Sequence, residues 1–291
     1  MGTYVVTGSA SGMGAAIATR LRDADHRVIG VDRAEAEVVA DLSTPAGRQL
    51  AIDEVLAQCD GRLDGAVLAA GLGPRRGAER TIVEVNVLGV TELLDGLRPA
   101  LAAGDKAKVV VVGSNSTTST PLVPARAISQ LKRGDTEAAT RIIVRRRQLA
   151  PAIAYAASKL AVSHWCREHA VTADWAGSGI RLNLLAPGPV MTPLLRSQLD
   201  SPTGKQVRSF PVPAREYGTP EQIADWAMTM LSPAADFMVG AVVTVDGGTE
   251  ALMRPDAWPA RLPLRTLPRM LWAMKQAPAR GQVADYSSLP D

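Results

Sequence analysis

A doubly wound α/β domain, with helices on both faces of a parallel seven-stranded sheet, is the fold this sequence predicts. Three observations point there: seven short apolar runs, helical stretches between them, and glycines clustered where the first strand turns into its helix. Tyr4-Val-Val6 reads as a buried strand, and Thr7-Gly-Ser-Ala-Ser-Gly-Met-Gly14 opens a helix running to about Asp23. His26 to Val31 is the second strand and completes a βαβ unit. Val38-Val-Ala40, Gly65 to Ala69, Lys108 to Val112, Ile180 to Leu185 and Ala241 to Val245 supply the other five, with helical stretches such as Thr44 to Cys59 and Thr81 to Leu101 between them. Strands separated by helices are joined by crossovers, so they run parallel and are covered on both faces. In such sheets ligands lie beyond the carboxyl ends of the strands.

The chain has 291 residues, 46% of them hydrophobic, enough for one large domain with a substantial core. A net charge of +3 and few aromatic residues argue against nucleic acid as a partner. Cys59 and Cys166 are isolated, without metal-ligand spacing or a disulfide framework, and read as reduced thiols in a cytoplasmic protein. The first strand begins at once, leaving no room for a signal peptide, and no apolar run is long enough to span a bilayer. His26, His164 and His169 have no metal-ligand partners at useful spacing and read as surface or helix-packing residues; no metal is expected.

Gly8, Gly12 and Gly14 permit a tight turn and let a pyrophosphate approach backbone N–H groups at a helix N-terminus. With a strand before them, a helix after them and an acid ending the second strand, they form a Rossmann-type dinucleotide site. Asp32 can accept hydrogen bonds from both adenosine ribose hydroxyls, and its charge would meet a 2′-phosphate unfavourably. Arg33 could pair with that phosphate, yet the glycine loop carries Ser11 and no basic residue, so NAD is favoured over NADP. Asp41-Leu42 follows the third strand and can reach the adenine, or serve as a helix-capping loop acid.

Tyr155 and Lys159 stand four residues apart and share one helical face. A fixed ammonium favours the phenolate over the phenol, which otherwise titrates near about 10, so the pair can move a proton near neutral pH. Ser114, just beyond the fifth strand, is placed to donate to a developing oxyanion, with Ser116 and Thr117 close enough to compete for that assignment. Asn86 falls within a predicted helix, where it can also bond the backbone.

Taken together, Thr7-Gly-x3-Gly-x-Gly14, Ala69-Ala-Gly71, Asn86-Val-Leu-Gly89, Ser114, Tyr155-x3-Lys159, Pro187-Gly188 and Asp246-Gly-Gly248 resemble the classical short-chain dehydrogenase/reductase family over roughly residues 1 to 255. Within it the chain looks most like the bacterial 3α-hydroxysteroid dehydrogenase/carbonyl reductase type, through Asp41-Leu-Ser-Thr44, Ala69-Ala-Gly-Leu-Gly-Pro74 and Met253-Arg-Pro255. The resemblance implies Tyr155 as general acid/base, Ser114 orienting the substrate oxygen, Lys159 binding the nicotinamide ribose and Asn86 holding a relay water. It further implies cofactor contacts from Met13, Ala70, Gly71, Pro187, Gly188, Val190 and Thr192. Thr192 also reads as an N-cap before Pro193. The expected activity is interconversion of a secondary alcohol and a ketone on a bulky hydrophobic or steroid-like substrate, with NAD(H) as coenzyme.

Three segments depart from the common pattern. An insert at about 117–150, including a basic helix from Ser129 to Arg147, precedes the catalytic helix and is expected to roof the substrate cleft or obstruct the helix pair used for tetramers. A homodimer is therefore favoured over a homotetramer. Arg145-Arg-Arg147 reads as a solvated face. Residues 190–213, with Met191, Leu194, Leu195, Leu199 and Phe210, form the expected substrate lid or a small packed helix. The 256–291 extension carries Trp258, Leu262, Leu264, Leu267, Met270, Leu271 and Trp272. Docking over its own cleft or a partner subunit is favoured over contact with an anionic membrane.

Overall fold

The computed structural model describes residues 1–200, 204, 208–257 and 263–283. Seven strands form one sheet: β1 (Thr3–Thr7), β2 (Arg27–Asp32), β3 (Val38–Val39), β4 (Gly65–Leu68), β5 (Lys108–Val112), β6 (Arg181–Pro187) and β7 (Val242–Val245). All pairs are parallel, in the order β3-β2-β1-β4-β5-β6-β7, so the order reverses between β1 and β4. All seven predicted strands are present, with ends shifted by one or two residues. The central strands are Val-rich and buried along nearly their whole length, as a sheet covered on both faces requires.

The two faces have separate cores. On one, α1 (Gly12–Asp23) and a helix at Pro220–Leu231 pack Ile17, Leu21, Ile223 and Met230 against Val6, Val67 and Val110. On the other, α2 (Pro45–Gln58), α3 (Glu79–Val83), α4 (Gly89–Ala102) and the long helix α8 (Ala150–Ala170) cover Val5, Ala66, Val109 and Val111. The stretch expected as one helix from Thr81 to Leu101 is interrupted by a π turn at Glu84–Leu88. Such turns insert a residue into the helical ladder and recur at functional sites; this one carries Asn86.

The insert is three helices before α8 and not the single one expected: α5 (Ser116–Ser119), α6 (Ala125–Lys132) and α7 (Thr136–Val144). Gly134, in the left-handed region at φ 78°, ends the basic stretch after Lys132, and Asp135 restarts it by accepting a hydrogen bond from the Ala138 N–H. Ala127, Leu131, Ala139 and Ile143 join the same core as Ile153, Ala157 and Val162 of α8, and Lys132 pairs with Glu168. Arg145, Arg146 and Arg147 are exposed, as a solvated face should be.

In the segment expected as a lid, of which residues 201–203 and 205–207 lie outside the described residues, α9 (Pro193–Leu199) buries Leu195 and leaves Leu194 exposed. Past residue 255 the described part of the extension holds a ten-residue helix, Leu267–Gln276. It does not dock over the cleft. Every residue from Leu267 through Lys275 is exposed, and the segment is satisfied locally: Arg280 lies 4.7 Å over the Trp272 ring, and Gln282 Nε2 donates to the Val171 carbonyl at the end of α8. Trp258 and Leu262 lie outside the described residues.

Candidate active site

The order reversal between β1 and β4 opens a crevice at the carboxyl ends of the strands, and the glycine loop forms its wall. Gly8 has φ 72°, and a Cβ there would stand 2.9 Å from Ala70 Cα; one on Gly14 would stand 2.1 Å from the Gly8 carbonyl oxygen. Glycine at both positions is what lets α1 start directly over the strand ends. Thr7 Oγ1 accepts from the Ala70 N–H at 3.1 Å and ties the first loop to the fourth. Ser11 occupies the N-cap of α1 without a side-chain capping bond, and the first turn carries no acid. The N–H groups there are available to a phosphate.

The cleft is lined by Gly8, Ser11, Gly12, Met13, Gly14, Asp32, Arg33, Asp41, Leu42, Ala70, Gly71 and Thr192, together with Val31, Ala40, Ser43, Ala69, Leu72, Thr81, Val85, Pro193 and Leu194. Most of the residues assigned to the cofactor from sequence therefore meet in one place. Pro187, Gly188 and Val190 do not line it. They lie beside it at and beyond the end of β6, where the Pro187 carbonyl accepts from the Asn115 N–H at 2.9 Å.

Asp32 ends β2 with its carboxylate directed back at the loop: Oδ2 accepts from the Ala10 N–H at 3.0 Å and Oδ1 from the Arg33 N–H at 2.6 Å. Each oxygen keeps a further lone pair for a ligand hydroxyl. Asp41 is an exposed loop acid whose Oδ1 accepts from the Ser43 N–H at 2.9 Å; that bond holds its carboxyl below the usual range. The N-cap of α2 is Thr44 and not Asp41. Buried Arg48 donates to the Leu42 carbonyl at 3.1 Å and pairs with Glu92, which fixes this rim of the cleft to α4. Thr192 does cap α9, its Oγ1 accepting from the Leu195 N–H at 3.3 Å, and its methyl packs on Gly12.

Next to this crevice stand the four chemistry-bearing residues. Tyr155 and Lys159 lie one turn apart on α8. Lys159 is 6% exposed, and its Nζ donates to the Val112 carbonyl at the end of β5 at 2.7 Å. Burial lowers its ammonium from 10.5 to about 8. Tyr155 keeps part of its surface open, yet burial pushes its hydroxyl above the ordinary phenol value, and a hydrogen bond with Ser114 pulls it partly back. The Lys159 ammonium itself is held on the Val112 carbonyl, one helical turn from Tyr155.

Ser114, 7% exposed, is held by its chain neighbours. Its Oγ accepts from the Ser116 N–H at 3.1 Å, while Gly113 and Asn115 donate to the Leu185 and Pro187 carbonyls of β6. Of the competing hydroxyls, Ser116 Oγ is buried without a protein partner, and Thr117 Oγ1 donates to the Ser114 carbonyl. The side chain of Asn86 is engaged on three sides: Oδ1 accepts from the Leu72 N–H at 2.8 Å, and Nδ2 donates to the Leu72 carbonyl at 3.0 Å and to Ser158 Oγ at 3.1 Å. Ser158 Oγ in turn donates to the Tyr155 carbonyl at 2.7 Å. Asn86 thus clamps the loop after β4 to α8. Between them sits Gly71, where a Cβ would come within 3.3 Å of Asn86 Oδ1 and 3.6 Å of Lys159 Nζ.

Sequence reasoning missed Thr7, Ser158 and the bridge from Asn115 Nδ2 to Asp246 Oδ2 at 3.1 Å. Asn115 adjoins Ser114 and Ser158 lies inside the Tyr155 to Lys159 spacing, but their partners are distant in the chain. His26 and His169 have packing roles: Gly2 N–H donates to His26 Nδ1 at 3.0 Å, and His169 stacks on Trp165 at 4.0 Å. Among the described residues no cluster of His, Cys, Asp or Glu could hold a metal.

A cradle built by glycines, an uncapped helix N-terminus and a carboxylate at the end of β2 fit a dinucleotide. Comparison with known proteins agrees. Residues 8–250 match the model of a family described as enoyl-(acyl carrier protein) reductase. The chain is 38% identical over 256 residues to a 3-alpha-hydroxysteroid dehydrogenase/carbonyl reductase of Comamonas testosteroni, covering 88% of this chain and 99% of that protein. It is 32% identical to galactitol 2-dehydrogenase (L-tagatose-forming) of Cereibacter sphaeroides, over 84% of this chain and 92% of that one. Among solved structures, 3-alpha-hydroxysteroid dehydrogenase from Pseudomonas sp. B-0831 complexed with NADH superposes with a TM-score of 0.83 at 41% identity, covering 88% of this chain and all of that one. The chain is an oxidoreductase acting on CH–OH groups, and it belongs to the short-chain dehydrogenase/reductase family.

Proposed function

We propose that the protein interconverts a secondary alcohol and a ketone on a bulky, hydrophobic, steroid-like substrate with NAD(H), using Tyr155 as general acid/base. The observation that carries this reading is the Tyr155 hydroxyl beside Ser114, one helical turn from the buried ammonium of Lys159. When bound, the nicotinamide ring takes a hydride from the carbinol carbon or returns it to the carbonyl carbon. In oxidation Tyr155 accepts the carbinol proton, and in reduction it donates that proton to the carbonyl oxygen. Ser114 donates to the same oxygen as negative charge develops on it. Lys159 supplies a fixed positive charge one turn away and binds the nicotinamide ribose. Asn86 keeps the Leu72 loop and α8 in register, with one Oδ1 lone pair left for a relay water.

NAD is favoured over NADP because the Asp32 carboxylate stands at the end of β2, where a 2′-phosphate would meet it. The apolar rim at Leu72 and Leu194 supports a hydrophobic substrate, as do the activities named for the Comamonas and Pseudomonas relatives. The insert helices packed on α8 support a homodimer over a homotetramer. Tyr155→Phe tests the reading: turnover on a panel of steroids and aliphatic ketones should fall by about 10²- to 10⁴-fold, while NADH fluorescence still reports binding near the wild-type affinity. Near-normal turnover in that variant would remove Tyr155 from the mechanism. A wild-type protein that binds NADH and turns over no ketone or alcohol would point to a redox sensor.

A further inference from the structure

We propose that residues 263–283 form a membrane-surface anchor that binds bilayers carrying anionic headgroups. The segment lies beyond the family match, which ends at residue 250, and outside the active site. Its helix repeats apolar residues at Leu267, Met270, Leu271 and Met274, the spacing that puts them on one face. All four are exposed, from Met270 at 36% to Met274 at 65%, and Trp272 and Leu264 are exposed beside them. An apolar stripe of this size left in water needs an occupant.

Charge decides which one. Residues 263–283 carry Arg265, Arg269, Lys275 and Arg280 and no Asp or Glu. A second copy docked through the same face would set these cations against their own equivalents, and a neutral apolar surface would leave them without counter-charge. A bilayer with anionic lipids takes both features at once, Leu and Met entering the acyl boundary and the cations meeting headgroup phosphates. Trp272, with Arg280 over its ring, is an amphipathic group suited to the boundary itself. The helix has ten residues, and among the described residues no helix is long and apolar enough to cross a membrane, so the segment lies on the surface.

The test is co-sedimentation of the full-length protein with vesicles of phosphatidylcholine alone or phosphatidylcholine with phosphatidylglycerol. Binding is expected to the mixed vesicles only, with release in high salt. Arg269→Gln with Lys275→Gln should lower the partition coefficient about 25-fold, at roughly fivefold per basic side chain, and Leu271→Asp with Met274→Asp should abolish binding. Equal binding to both vesicles, no binding at low salt, or unchanged binding by the double-aspartate variant would each overturn the proposal. So would a segment-dependent dimer in sedimentation velocity without vesicle binding. A fall of several degrees in the thermal midpoint of the glutamine variant would show the segment packed on the body and overturn it as well.

Discussion

Lys159→Met should change how stability depends on pH, by an amount that follows from the burial of one ammonium group. In the folded protein that group titrates near 8, against 10.5 for an ordinary lysine. Between those values the unfolded chain holds the proton and the folded chain does not, so raising the pH favours the folded state. The contribution is fully present above 10.5 and is lost as pH falls through 8. Each pH unit in that window is worth about 1.4 kcal/mol, so the buried cation costs about 3 kcal/mol at pH 7 relative to its neutral form. Methionine removes the charge and nearly keeps the shape, but leaves the Val112 carbonyl without its 2.7 Å partner, at a cost of about 1–3 kcal/mol. The variant should therefore match or slightly exceed the wild type in stability at pH 7 while losing catalytic turnover. The wild type should then gain on it by about 3 kcal/mol as pH rises to 10.5. Urea unfolding of both proteins at several pH values from 7 to 10.5 measures the difference, and ionisations the two proteins share cancel in it. A difference that stays flat to within about 1 kcal/mol across that range would refute the argument.

Other outcomes follow from the same geometry. Asp32→Asn keeps an acceptor for the Ala10 N–H and removes the charge, so the ratio of kcat/KM for NAD over NADP should drop by about tenfold or more; an unchanged ratio would take Asp32 out of coenzyme choice. Asn86→Ala leaves both polar groups of Leu72 without their partner and frees the tie to Ser158. It should cost about 2–4 kcal/mol in urea unfolding and raise KM for the dinucleotide, and a loss below about 1 kcal/mol would show that the clamp is not needed. Ser114→Ala should lower turnover by about 10²-fold, whereas Ser116→Ala, which removes a buried hydroxyl without a protein partner, should leave turnover unchanged; the opposite pattern would reassign the serine.

The strand runs, the glycine loop and the Tyr155 to Lys159 spacing were legible because each is local. A run of β-branched residues buried on both faces reads the same in the chain as in the sheet, and Gly8 and Gly14 mark a turn whose backbone admits no side chain. What failed was contact between distant segments. A continuous helix was expected through Asn86, and the π turn there exists to present that amide to Leu72 and Ser158, fourteen and seventy-two residues away in the chain. One basic helix was expected in the insert, where Gly134 and Asp135 make two, both packed into the core of α8. The extension was expected to dock over its own cleft or a partner subunit, and its described helix leaves its own cleft uncovered.

By itself the sequence determined the layers of the fold, the crevice at the strand ends and the residue types that meet there, because periodicity and turn chemistry are properties of neighbouring residues. Only the tertiary structure decided that the Lys159 ammonium is buried against Val112, that burial raises the Tyr155 phenol, and that Asn86 clamps a loop to a helix. Those follow from desolvation and hydrogen-bond geometry, which exist only once remote segments have been brought together.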